Sequence, residues 1–157
     1  MTTVLLVVGK TEQGFVEQGI NLYLERLRHY GHCVVEVVAD IKLGHTLPRD
    51  ILKEKEGVAL LKKILPGDIV ILLDERGQSY TSRQFAGYIE KHRLRGAKRL
   101  VFVIGGAFGF SDAVYSRAGG SVALSMMTMS HQLVRVVFME QLYRANTILR
   151  NEQYHHD

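Results

Sequence analysis

The sequence predicts an α/β fold, a mostly parallel sheet with helices on both faces, and three observations carry that prediction. Five short runs are dense in Val, Ile and Leu and lack alternation, as strands covered on both faces require. Between them the apolar spacing lengthens to three and four residues, the period of helices. Gly, Pro and Asp mark the places where one period gives way to the other.

Residues 4–8 form the first strand, closed by Gly9-Lys10. Over residues 12–30 the side chains of Phe15, Val16, Ile20, Tyr23, Leu24 and Leu27 share one helical face, and Gly31 ends the helix. Residues 33–38 form the second strand and residues 40–48 a loop with basic and histidine content. Residues 49–65 resume the helical period through Ile51, Leu52, Val58, Leu61 and Ile64, weakened at Gly57 and stopped by Pro66-Gly67-Asp68. Residues 69–73 form the third strand, and residues 74–78 the loop at its carboxyl end. Thr81 or Ser82 caps a helix that turns Phe85, Ile89 and Leu94 inward and sets Arg83, Lys91, His92, Arg93 and Arg95 at its ends and outer surface. Residues 100–104 form the fourth strand. Ser111 or Asp112 caps a short helix reaching about Ala118, Gly119-Gly120 breaks it, and residues 121–124 form the fifth strand. Residues 130–149 make the terminal helix, with more apolar content than one face needs, so part of its surface is expected against a second subunit. The tail Gln153-Tyr154-His155-His156-Asp157 is too polar to predict as core.

With 157 residues, 46% of them apolar, residues 1–157 are expected to form a single domain around one core. The charged 23% is spread along the chain, which excludes an acidic tail or a long basic arm. A net charge of +4 leans towards a polyanionic partner such as nucleic acid, although the same excess serves an ordinary solvated surface. The single Cys33 excludes an intrachain disulfide and reads as a small buried hydrophobe. The start lacks the basic flank and apolar run of a signal peptide, and no stretch is long enough to cross a bilayer. A cytoplasmic protein without membrane attachment is the expectation.

Two late segments bear on function. Ile104-Gly105-Gly106-Ala107-Phe108-Gly109 follows a strand and leads to a helix, where glycines let backbone approach a ligand without a Cβ in the way. Its spacing is neither the dinucleotide fingerprint nor a Walker A loop, and alone it reads sooner as an ordinary glycine-rich βα turn. Leu124, Ser125, Met126, Met127, Thr128 and Met129 stand where a loop is needed, and alone such a methionine run reads as packing. His155-His156 lacks partners at metal-ligand spacing, so no metal is expected, and no nucleophile elbow or carboxylate pair points to a hydrolase.

In combination these segments resemble one family: the small knotted methyltransferases of the SPOUT class, within it those that methylate N3 of a pseudouridine in 23S (large-subunit) ribosomal RNA. The resemblance runs over essentially the whole chain. It rests on Leu72-Leu73-Asp74 followed by Gly77, Ile104-Gly105-Gly106 with Gly109, Leu124-Ser125 followed by Met129-Ser130-His131, Leu133-Val134-Arg135, Glu140-Gln141-Leu142-Tyr143-Arg144-Ala145, and Tyr154-His155. It implies a carboxyl-terminal trefoil knot, a homodimer, and an S-adenosylmethionine pocket at Leu73, Gly105 and Leu124, Ser125, Met126, Met127, Thr128 and Met129. It also implies a site completed near the subunit interface. This chain departs from the family by carrying His156 where an arginine commonly follows Tyr-His.

On that resemblance His155 is the expected proton acceptor for N3, Tyr154 orients the base and His156 assists. Arg135 and His131 are expected to be structural or to position substrate. The basic candidates for RNA are Lys10, Arg76, Arg83, Arg93, Arg95 and Arg135. A chain of this length leaves no separate RNA-binding domain, so recognition of ribosomal RNA is expected on the assembled ribosome. Two alternatives stay open from sequence: another knotted enzyme acting on a ribose hydroxyl or a transfer RNA base, and a non-catalytic nucleotide-binding or RNA-binding adaptor.

Overall fold

The protein was analysed as a computed structural model, which describes residues 1–42 and 44–156. Leu43 of the expected 40–48 loop and Asp157 of the tail lie outside the described residues. The elements in chain order are β1 (Thr2–Val8), α1 (Phe15–Leu27), β2 (Cys33–Val38), α2 (Arg49–Leu61), β3 (Ile69–Ser79), α3 (Ser82–Leu94), β4 (Arg99–Ile104), α4 (Asp112–Arg117), β5 (Gly120–Ala123) and α5 (Leu133–Leu149), with a short 3-10 turn at Gly44–Thr46. The sheet has five strands in the order β2-β1-β4-β3-β5, and every pairing is parallel.

Side chains alternate between two cores, as the two-residue period of a strand demands. Leu5, Val7, Ile71, Phe102 and Ile104 face a layer built by α1, α3 and α5, while Val4, Leu6, Leu72, Val101 and Val103 face α2 and α4. Both faces are apolar because both are covered, which is why the runs lack alternation. Thr81 caps α3 through a reciprocal box: its hydroxyl accepts from the Gln84 N–H at 3.2 Å, and its own N–H donates to the Gln84 side chain at 2.9 Å.

Several expectations change. The expected 74–78 loop is shorter than the sequence suggests: Leu73 and Gln78 both stand opposite Val122 of β5, so residues 74–77 form an irregularity without β5 partners, after which β3 continues to Ser79. Gly77 permits this: a Cβ there would lie 2.6 Å from the Val122 backbone nitrogen. Phe15 and Leu94 were assigned inward positions but are 69% and 79% exposed, since each occupies the terminal residue of its helix. Cys33 is half-buried on the edge strand β2, and burial pushes its thiol up to about 12. Ser111 stands at the N-cap of α4, yet its buried hydroxyl makes no cap bond. The terminal helix starts at Leu133, one turn after Ser130, whose hydroxyl accepts from the Leu133 N–H at 3.1 Å.

Candidate active site

In a parallel sheet with returning helices, the loops after the strands leave from one edge, and the order β4-β3-β5 sets three of them side by side. There they enclose a cavity of about 780 Å³. Of the residues expected to hold a cofactor, Leu73, Gly105, Leu124, Ser125, Met127, Thr128 and Met129 line it. Met126 does not, and it is 93% exposed. The Met127 N–H donates back to the Ser125 hydroxyl at 2.9 Å, a tight turn that carries the intervening side chain outward.

The glycine segment is shaped from within. Gly109 adopts φ +79° and its N–H donates to the Gly106 carbonyl at 3.2 Å, closing a small turn. A Cβ on Gly105 would stand 3.1 Å from both the Gly109 carbonyl oxygen and the Phe110 ring, so the close approach at this residue is made by the chain itself. On Gly106 a Cβ would stand 2.6 Å from Oε1 of Glu56, a buried side chain of α2.

One wall carries a polar cluster. Burial alone would raise the Asp74 carboxyl, but the Tyr115 hydroxyl, the Arg76 N–H at 2.8 Å and the Arg76 guanidinium outweigh it and hold the group below the usual carboxylate range. Burial and the Asp74 charge together push Tyr115 up, so its hydroxyl stays protonated and donates. The Arg76 guanidinium also donates to the Tyr115 hydroxyl and lies over its ring, 5.4 Å from the centroid. Across the opening, the Thr128 hydroxyl donates to Glu75 at 3.1 Å, tying the β5 loop to β3.

Arg135 ties the end of β1 to the start of α5. Its side chain is 0% exposed and donates to Val8 O at 2.6 Å, Gly9 O at 3.1 Å, the Thr11 hydroxyl at 3.1 Å and His131 O at 3.0 Å. Its role is structural, and its burial removes it from the candidate RNA contacts. His131 lines the cavity, where the Arg135 bond holds its carbonyl.

The tail is not disordered polar chain. Tyr154 stacks edge-on to Tyr143 with centroids 4.8 Å apart, lies under the Arg144 guanidinium at 4.7 Å, and donates to Glu140 at 3.2 Å. His155 Nδ1 is 3.3 Å from Arg144 Nη1, while His156 is exposed. α5 places Val134, in its first turn, on the cavity wall and runs 17 residues to the tail, a rise of about 25 Å. The structure therefore gathers all the expected cofactor residues but Met126, and leaves Tyr154, His155 and His156 of the same chain at the far end of α5, beside Tyr143 and Arg144. Among the described residues no three His, Cys, Asp or Glu side chains are grouped to hold a metal ion.

A family model described as "Predicted SPOUT methyltransferase" matches residues 1–155. The chain belongs to the SPOUT methyltransferase family. Among its relatives are proteins named "Ribosomal RNA large subunit methyltransferase H" from Parabacteroides distasonis, 51% identical with 98% of each chain covered, and from Porphyromonas gingivalis, 46% identical with all of each chain covered. A solved structure described as a probable methyltransferase from Bordetella pertussis shares the fold at a TM-score of 0.54 and 12% identity, with 92% of this chain and 95% of that one covered.

In this SPOUT methyltransferase the residues that sequence reasoning missed lie around the cavity. Tyr115 completes the Asp74 cluster, Lys53 and Phe108 line the opening, and Arg49 stands over the Phe108 ring at 5.1 Å. Lys53 and Glu56 are three apart and share a face of α2, a spacing visible in sequence, but only the fold turns that face to the glycine loop.

Proposed function

We propose that this chain transfers a methyl group from S-adenosylmethionine to N3 of a pseudouridine in 23S ribosomal RNA, as a homodimer acting on assembled ribosomes in the cytoplasm. Residues 1–157 act as one domain whose carboxyl-terminal part is threaded as a trefoil knot. The observation that carries the reading is the convergence of the β3, β4 and β5 loops on one cavity, in a chain that matches proteins named ribosomal RNA methyltransferases over its whole length.

The cavity fits a nucleoside-sized ligand in volume and lining. Leu73, Ile104, Leu124 and Met129 offer apolar walls, the 124–129 backbone offers donors and acceptors for an adenine edge, and Asp74 and Glu75 supply negative charge suited to a sulfonium. When bound, S-adenosylmethionine supplies an electrophilic methyl group. The residues of the chain align the base and deal with its N3 proton.

The reading assigns that proton to His155, with Tyr154 orienting the base and His156 assisting. Each pocket then draws its tail from the second subunit, because its own lies a helix length away. Arg144 only donates, so a neutral His155 bonded to it through Nδ1 carries its own proton on Nε2. Accepting the N3 proton therefore goes with a tail that has moved off Arg144.

Mass mapping of ribosomal RNA from cells lacking the protein tests the activity, combined with methylation of purified ribosomes by the pure protein. The expected result is loss of one N3-methyl group from a pseudouridine, restored on whole ribosomes and not on an isolated hairpin. A modification map unchanged by the loss rules the proposal out.

A further inference from the structure

Glu56 has no part in the reading above, yet it is among the least expected residues in the fold. It is a charged residue type, 8% exposed, and its Oε2 makes no hydrogen bond among the described residues. Buried carboxyl oxygens are ordinarily paired, so an unpaired one needs a reason. Its surroundings give one. The carboxyl group lies directly against the Cα of Gly106, where an added Cβ would be 2.6 Å from Oε1 and 2.8 Å from Cδ. Gly106 lines the cavity. The next residue, Gly57, meets Ser111 in the same way, with an added Cβ 3.1 Å from the Ser111 Cβ. Two consecutive α2 residues thus clamp both ends of the 106–111 segment.

We propose that Glu56 is a positioning residue for the cofactor: its carboxyl group fills the space over Gly106 and fixes the glycine turn in the shape that receives S-adenosylmethionine. The inference rests on the cavity being the cofactor site. An ionised carboxylate would be a buried charge with no bonded partner at Oε2, which strains the turn it leans on. Burial, and then the Asp40 charge, push the Glu56 carboxyl above the usual range, which favours the neutral form. Asp40 after β2 is the charge that bears on Glu56, while Lys53, one turn earlier on α2, and Asp112, opening α4, line the cavity and Arg135 of α5 interacts with Asp40. Of these only Asp40 adds to the effect of burial on Glu56.

The test is calorimetric titration of S-adenosylmethionine into wild type, Glu56→Gln and Glu56→Ala between pH 5 and 9, with thermal melts confirming that each variant folds. Glu56→Gln keeps the neutral shape, so its affinity stays within about threefold of wild type at the acid end. Glu56→Ala loses about tenfold at every pH. Equal affinities for Glu56→Ala and wild type, or equal losses in Glu56→Gln and Glu56→Ala, each overturn the proposal while leaving the pocket assignment intact. Absence of binding to wild type at every pH removes the pocket assignment and this inference with it.

Discussion

Replacing Arg135 by methionine removes the guanidinium that joins the end of β1 to the start of α5 while keeping an unbranched apolar chain in its place. Four acceptors lose their donor: the carbonyls of Val8, Gly9 and His131 and the Thr11 hydroxyl. Leaving a buried acceptor unsatisfied costs about 1–3 kcal/mol each, but losing the buried charge also relieves its desolvation, and that burial already draws Arg135 below the usual arginine range. The balance is a loss of about 3–5 kcal/mol. In a domain of this size that lowers Tm by roughly 10 °C. Arg135→Lys retains a cation, but one nitrogen cannot reach acceptors that three guanidinium nitrogens reach separately, so about half the loss remains. Scanning calorimetry and urea titration at fixed protomer concentration measure both variants. A methionine variant within about 1 kcal/mol of wild type, or a lysine variant as stable as wild type, refutes the assignment of Arg135 as a structural anchor.

Two further outcomes follow from the geometry. Gly77→Ala places a Cβ 2.6 Å from the Val122 nitrogen and 2.7 Å from the Ser121 carbonyl carbon, backbone that cannot move without parting β3 from β5; thermal melts should register a loss of about 2–3 kcal/mol, and a neutral substitution would contradict the pairing described. Tyr115→Phe removes the hydroxyl that donates to Asp74, costing about 1–2 kcal/mol at neutral pH. Because the folded carboxyl titrates below its unfolded value, this contribution is present above the ordinary aspartate range and is lost as pH falls through the depressed one. Urea midpoints of wild type and variant should therefore converge in acid, and a gap that persists there counts against the pairing.

The alternation of strand and helix was legible because the central strands β1, β3 and β4 are buried on both faces while the helices carry an apolar face, which writes two periods into the sequence. The 33–38 strand and the Thr81 cap could be read locally. The continuation of β3 to Ser79 could not, since Asp74-Glu75-Arg76-Gly77 has turn composition and the pairing of Gln78 and Ser79 beyond it is made with β5, more than 40 residues later. The cofactor segments were legible only in combination, each alone being compatible with a turn or with packing. Met126 shows the limit of that reading: membership of the segment does not say which side chain a local Ser125 turn sends outward. Glu56 was invisible because a glutamate on a helix reads as surface, and only the tertiary approach of Gly106 makes it interior. The packing of the tail was not legible, because its polar composition hides that Tyr143 and Arg144 offer Tyr154 a stacking surface.

The central claim is that a working site combines the cavity of one subunit with the Tyr154-His155 tail of another. It is tested by purified heterodimers of two differently tagged chains, one with its cavity filled by Ser125→Trp and one with its tail disabled by His155→Ala, assayed for methylation of ribosomes beside the two inactive homodimers. Such a heterodimer pairs one intact cavity with the other subunit's intact tail, so the predicted activity is about half that of wild type. Heterodimers as inactive as either parent contradict the claim.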